Sequence, residues 1–277
     1  MPELGTKIFI FIFGICLGSF LNVVIHRLPR GQSLVRPGSH CPSCGIGISW
    51  YDNLPLMSFL ILRGQCRHCG VTIPIRYFSV ELITGLLTLA LFIKFGLQPR
   101  TLFLLYLVSA LTAITYIDLA EMIIPDKITL PGIALGLVSA VWFPEWTLAG
   151  PWLDGRLAGW GLTNLRLISL IGSVLGMFLG GALVWLIFNL YFLIRKEEGI
   201  GGGDFTLLSM IGAFLGWRSV FVSLFLGAMI GIVAAAGIVI QKKKLDSKMK
   251  LPFGPFLSIA ALIYLFFGES ILRWYLS

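Results

Sequence analysis

The sequence predicts an all-α polytopic membrane protein, with about eight transmembrane helices and a small cytosolic domain between the first two. Three observations carry that reading. Only 12% of the 277 residues are charged while 57% are hydrophobic. A soluble domain carries roughly 25% charged residues, so this chain has too few to solvate a globular surface. Long uncharged runs recur at the length of a bilayer core, about 20 residues as a helix. Four of the five cysteines stand in two C-x-x-C pairs within one long polar stretch.

The apolar runs are 8–25, 78–93 (with Glu81 near its start), 101–117, 128–144, 167–194, the short 205–217, 219–241 and 251–268. Run 8–25 is long and has no small-x-small site after it, so it reads as a span and not as a cleaved signal. Cys16 within it is expected to pack as a small buried hydrophobe. The chain thus divides into a first transmembrane helix (1–26), a four-cysteine domain (27–77) and a transmembrane bundle (78–277). Fourteen of the 21 Lys and Arg fall on the side of the 27–76 loop. Positive-inside bias places that loop in the cytosol and both termini outside. The net charge of +8 is read as this bias, so lipid is the expected partner and nucleic acid is not. The spacings Gly14/Gly18, Gly132/Gly136, Gly176/Gly180 and Gly227/Gly231 predict close helix packing.

Cys41-Pro42-Ser43-Cys44 and Cys66-Arg67-His68-Cys69 form two knuckles. Each turn can aim two thiolates at one ion, and four thiolates suit tetrahedral zinc. Gly38, Gly45, Gly64 and Gly70 supply tight turns around them. A pair of redox C-x-x-C sites is the alternative, but matched pairs on the reducing side favour a metal. Four protein ligands leave no open position, so Cys41, Cys44, Cys66 and Cys69 predict a structural zinc-binding domain. His40 and His68 are then bystanders.

Only 13 acidic residues exist, so their placement is informative. Asp118 closes the third apolar run and Asp204 opens the sixth, behind the glycine run Gly199-Ile200-Gly201-Gly202-Gly203. The topology puts both at the cytosolic boundary, where ionisable groups are functional candidates. Taken singly, Asp204 is an ordinary helix N-cap and Asp118 an interfacial charge. As a pair they suit hydrolysis, one carboxylate activating water and the other protonating the carbonyl or leaving amine. Spacing alone does not separate Asp118 from Glu121 or Asp126. Helix polarity suggests unequal roles: Asp204 at a helix start as the base, Asp118 at a helix end as the proton holder.

The glycine run with Asp204 resembles the GxGD signature of the type IV prepilin peptidases, bacterial membrane aspartic proteases. Further residues resemble that family along nearly the whole chain. They are Gly18-Ser19-Phe20-Leu21-Asn22 with Arg27-Leu28-Pro29, Arg36-Pro37-Gly38 through Cys44, Trp50-Tyr51-Asp52-Asn53-Leu54-Pro55, Arg63 through Cys69, Arg76-Tyr77, Glu81, and Asp118 with Ile124-Pro125-Asp126. The resemblance implies that Asp118 and Asp204 are catalytic. It also implies that the enzyme cuts the basic leader of type IV prepilin or type II secretion pseudopilin precursors at the cytosolic face of the bacterial inner membrane. It further implies methylation of the new N-terminal amine with S-adenosylmethionine, for which no nucleotide-binding fingerprint is visible. The chain departs from the family in one place, with Thr206 where a lysine usually follows the aspartate. The rival class is a transporter or scaffold with a zinc-stabilised interaction domain; a transporter would place its acids near the midplane.

Overall fold

The computed structural model describes residues 3–144, 164–196, 202–242 and 251–276. Each apolar run forms a helix: α1 (Leu4–Arg27), α3 (Arg76–Phe95), α4 (Pro99–Glu121), α5 (Asp126–Trp142), α6 (Leu165–Arg195), α7 (Gly203–Leu215), α8 (Trp217–Lys242) and α9 (Gly254–Leu276), with a short α2 (Met57–Ile61) in the polar stretch. Among the described residues there is no strand, only the isolated bridges His40–Gly47 and Gln65–Thr72. Among the described residues five helices, α1, α3, α4, α6 and α8, are long and apolar enough to cross a bilayer. Helix α5 has 17 residues and α7 has 13, and the apolar part of α9 covers Gly254–Gly268.

Local chemistry explains where the helices break. Helix α4 stops as Met122 turns into the left-handed region at φ 54°, its N–H bonded to Asp118 O at 2.9 Å. Pro125 then leads into α5, where its missing N–H costs nothing. Gly216, at φ 79°, is the single residue between α7 and α8, a conformation that glycine takes without a Cβ clash.

The chain falls into two compact units, Met1–Ala113 and Ile114–Ser277. In the first, α1 packs along α3 through glycines. A Cβ on Gly14 would sit 2.8 Å from Thr88 Cβ, one on Gly18 2.7 Å from Glu81 Cα, and one on Gly85 2.6 Å from Ile15 Cγ2. Asn22 Nδ2 donates to Tyr77 O at 3.0 Å and ties the knuckle-side ends of the two helices. Cys16 departs from expectation: it is exposed. It lies two residues from both Gly14 and Gly18, off the stripe that faces α3.

In the second unit α7 is the core helix, packed against α5, α6 and α8. Leu207, Leu208, Met210, Ile211 and Ala213 have no exposed surface. Gly176 and Gly212 are in backbone contact, and Gly180 rests on Leu208 O. Gly136 approaches Ala213, where a Cβ would meet its carbonyl carbon at 2.9 Å. Gly227 and Gly231 are looser against α9, with nearest atoms at 3.4 and 3.2 Å.

Valine at Gly18 or Gly212 is therefore expected to destabilise the detergent-solubilised protein by about 1–3 kcal/mol each, the usual cost of overpacking. Gly237, with nothing within 4 Å, is the control position. Equal melting temperatures for all three variants would contradict this packing scheme.

Candidate functional site

The two knuckles are one device built twice. The N–H of Cys41 donates to Ile46 O and that of Cys66 to Val71 O, both at 2.9 Å. The N–H groups of Gly45 and Gly70 close each turn onto Cys41 O and Cys66 O, also at 2.9 Å. Gly45 and Gly70 sit at φ 73° and 69°, where any other residue would be strained. All four sulfurs consequently lie within 4.8 Å of one another, and Cys41 Sγ is 3.8 Å from Cys69 Sγ. Such a set could hold one metal ion.

Charge is spread unevenly over the cluster. Backbone N–H groups of Cys44 and Ser43 aimed at the Cys41 sulfur hold its thiol down to about 6. Cys69 receives the Val71 N–H, yet burial and the neighbouring sulfurs push it up to about 11. A divalent cation is what allows four neighbouring sulfurs to be thiolates together. No imidazole belongs to the group, and His40 Nδ1 instead meets Gly38 O at 3.0 Å. Arg67, inside the second knuckle, holds Asp52 with two bonds of 2.7 and 2.6 Å. That guanidinium keeps the Asp52 carboxyl below the ordinary carboxylate range.

The second unit brings Asp118 and Asp204 together. Asp118 is 5% exposed and Asp204 6%, and each lies within electrostatic reach of the other. Their competitors differ: Glu121 and Asp126 are exposed. Burial, which spacing could not reveal, separates the pair from its neighbours.

Each aspartate meets a helix start. Asp204 is in the first turn of α7, where the N-cap is Gly202, so the aspartate is not the capping residue that its sequence position suggested. Asp118 Oδ2 accepts the N–H of Gly254, the first residue of α9, at 2.9 Å. Asp118 thus closes its own helix and faces the opening of another, so helix polarity does not set the two carboxyls apart.

Two glycines hold this arrangement: Gly203, of the run noted in the sequence, and Gly254, which sequence reasoning passed over. A Cβ on Gly254 would lie 2.7 Å from Asp118 Oδ2, and one on Gly203 would lie 2.5 Å from Ile124 Cβ. The Ile124 side chain also approaches the Gly254 position at 3.1 Å, so it packs against both glycines beside the carboxylates. The available signal was Phe253-Gly254-Pro255, a glycine and proline at the opening of a helix. Thr206 has its hydroxyl 3.2 Å from Asp126 Oδ1 and 3.0 Å from Gly203 O, which joins the starts of α5 and α7. Gly199, Ile200 and Gly201 lie outside the described residues.

Comparison with known proteins finds relatives along nearly the whole chain. The type IV leader peptidase family matches residues 105–236, and the bacterial peptidase A24 N-terminal domain matches residues 12–95. The chain is 36% identical over 292 residues to a prepilin leader peptidase/N-methyltransferase of Aeromonas hydrophila, covering 97% of this chain and 93% of that protein. It is 33% identical over 288 residues to the one of Pseudomonas aeruginosa, covering 96% and 91%. With the one of Myxococcus xanthus it shares 40% over 227 residues, covering 82% and 61%. No solved structure matches.

Elemental analysis of the purified protein is expected to find one metal ion per chain, lost in a Cys41→Ser/Cys66→Ser variant. A metal-free wild type that keeps its knuckle fold would contradict the site.

Proposed function

The chain belongs to the type IV leader peptidase family, and on that premise we propose that it is a membrane aspartic endopeptidase with Asp118 and Asp204 as its acid–base pair. It removes the leader of type IV prepilin or pseudopilin precursors and then N-methylates the new N-terminus. The names of the relatives support the substrate and the second activity. The observation that carries the site is the burial of these two carboxylates, far apart in sequence, one in the first turn of α7 and the other against the first residue of α9.

The chemistry follows from that placement. One carboxylate takes a proton from water as the oxygen attacks the scissile carbonyl, and the other gives a proton to the carbonyl oxygen and then to the leaving amine. The Gly254 N–H orients Asp118 through its Oδ2. The first turn of α7 presents backbone N–H groups beside Asp204. Such donors are fixed before substrate arrives, so little reorganisation remains for the reaction itself.

Cys41, Cys44, Cys66 and Cys69 would hold structural zinc. Zinc–sulfur bonds of about 2.3 Å in a tetrahedron separate sulfurs by roughly 3.8 Å, the spacing of Cys41 and Cys69. S-adenosylmethionine would supply the methyl group. The basic bias of the knuckle-side loops supports a cytosolic knuckle domain and active site in the bacterial inner membrane.

Thr206, in place of the usual lysine, faces Asp126. The family lysine would make an ion pair there, and threonine keeps the link as a hydrogen bond. The link holds the approach to Asp204 and takes no part in proton transfer.

In cleavage of a prepilin-type substrate, Asp118→Asn and Asp204→Asn are each expected to lower the rate by about 10²–10⁴-fold. Glu121→Gln is expected to leave it within a few fold, and full activity in either Asn variant would remove that aspartate from the mechanism. Thr206→Lys is expected to keep activity and Thr206→Val to lose up to about tenfold, the worth of one hydrogen bond. Loss of activity in Thr206→Lys with none in Thr206→Val would reverse the reading of this position.

A further inference from the structure

Helix α2, in the polar stretch of the first unit, turns its apolar face outward. Met57, Leu60 and Ile61 stand at i, i+3 and i+4, so they share one face, and they are 56%, 59% and 66% exposed. Trp50, in the neighbouring 3₁₀ turn Trp50–Asn53, and Ile75, just before α3, are exposed as well. Single exposed apolar residues are ordinary on a protein surface. A helix face made of them, with aromatic and charged residues around it, marks an interaction surface.

The face points outward because the other side of α2 is fixed to the protein. The Ser58 hydroxyl donates to Tyr51 O at 3.1 Å. The Phe59 ring meets the Phe78 ring of α3, with 5.4 Å between centroids. Just ahead of α2, the Leu56 N–H donates to Glu81 Oε2 at 2.7 Å. Leu56 at φ 60° and Arg63 at φ 51° bracket the helix, conformations that non-glycine residues keep only where their surroundings impose them. A helix of five residues is not stable by itself, so these ties decide which side faces out. They also fix its depth. Phe78 and Glu81 belong to the first turn and a half of α3, about 7.5 Å of rise from Arg76. Helix α3 is apolar and long enough to cross a bilayer, so α2 is level with the end of a membrane span.

The charges nearby suit the same surroundings. Residues 27–77 hold six arginines and a single carboxylate, Asp52, and Asp52 is committed to Arg67. Arg63 is exposed and follows directly on α2. Arginines beside a span are drawn to anionic headgroups, within a Debye length of about 8 Å, and tryptophan favours the headgroup level. We infer that α2 is an interfacial anchor. Met57, Leu60 and Ile61 lie in the boundary between acyl chains and headgroups of the knuckle-side leaflet, and Arg63 meets the phosphate of an anionic lipid. Amphipathic helices lying in an interface bury their apolar face about 5–10 Å deep, the depth at which Phe78 and Glu81 hold α2. The anchor ties the polar stretch to the membrane surface, whatever reaction the protein carries out.

The test places the full-length protein in vesicles of phosphatidylcholine, alone or mixed with phosphatidylglycerol. One diazirine probe is carried on a lipid acyl chain, another dissolves in water, and mass spectrometry maps both onto peptides. In wild type the 57–61 segment is expected to take the acyl-chain probe, as α1 and α3 do, and to be shielded from the water-soluble one. The ratio of the two labels reads the docking equilibrium. It should rise with phosphatidylglycerol, and Arg63→Gln should lower it there by about fivefold, the worth of one arginine near an anionic surface. Leu60→Asp/Ile61→Asp should hand the segment to the water-soluble probe while α1 and α3 keep the lipid label. Labelling of wild-type 57–61 by the water-soluble probe alone would overturn the anchor, whether or not the variants accumulate. Shielding that arises only when a prepilin-type substrate is added would give the face to a protein partner and overturn it too. Equal ratios in the two kinds of vesicle would overturn the anionic headgroup as the ligand of Arg63.

Discussion

A carboxylate buried in a chain whose solvent is lipid must find donors inside the protein, and here they come from the backbone. Asp118 is met by the N–H of Gly254, Glu81 by the N–H of Leu56, and Asp204 stands in the first turn of α7. A lysine or arginine partner would bring a second charge that also has to be removed from water, at several kcal/mol per ion. A free N–H at a helix start, or at a backbone held in an unusual conformation, is already present and already oriented. Each of these carboxylates therefore lies beside a helix start or an unusual backbone turn.

Such donors work only if the backbones come close, and glycine provides the room. Gly254 leaves space for the Asp118 oxygen, and Gly203 lets the start of α7 settle on Ile124. Gly18 lets α1 reach α3 beside Glu81, while Gly176 and Gly212 bring α6 onto the core helix. In lipid, helix association depends on van der Waals packing and small residues at the seams. The same glycines that hold the helices together set the positions of the carboxylates.

The coarse architecture was legible because lipid imposes a length and a composition: all eight apolar runs became helices, and two matched C-x-x-C turns came together as one cluster. What stayed hidden depended on burial or on contacts across the sequence. Asp118 could not be told from Glu121 and Asp126, since all three follow or flank one apolar run and only the fold buries one of them. Thr206 read as a departure from a family pattern, and its contact with Asp126 needed two helix starts to be placed side by side. Gly254 carried no charge and belonged to no metal or acid motif, so nothing in its chemistry announced the N–H it gives to Asp118. Cys16 was misjudged because the surface of a membrane helix is itself apolar, which removes the usual pressure to hide a thiol.

The brevity of α7 has a consequence for how a chain segment could reach Asp204. Thirteen residues rise about 20 Å, roughly 10 Å less than the hydrocarbon thickness of a bilayer. Enclosed by α5, α6 and α8 rather than by lipid, so short a helix can end inside the protein without the bilayer having to adapt to it. The carboxylate at its start is then free to lie near the depth where a neighbouring hydrophobic segment begins. A peptide bond at the head of such a segment can then be presented sideways, within the plane of the membrane, without lifting the apolar residues behind it into water.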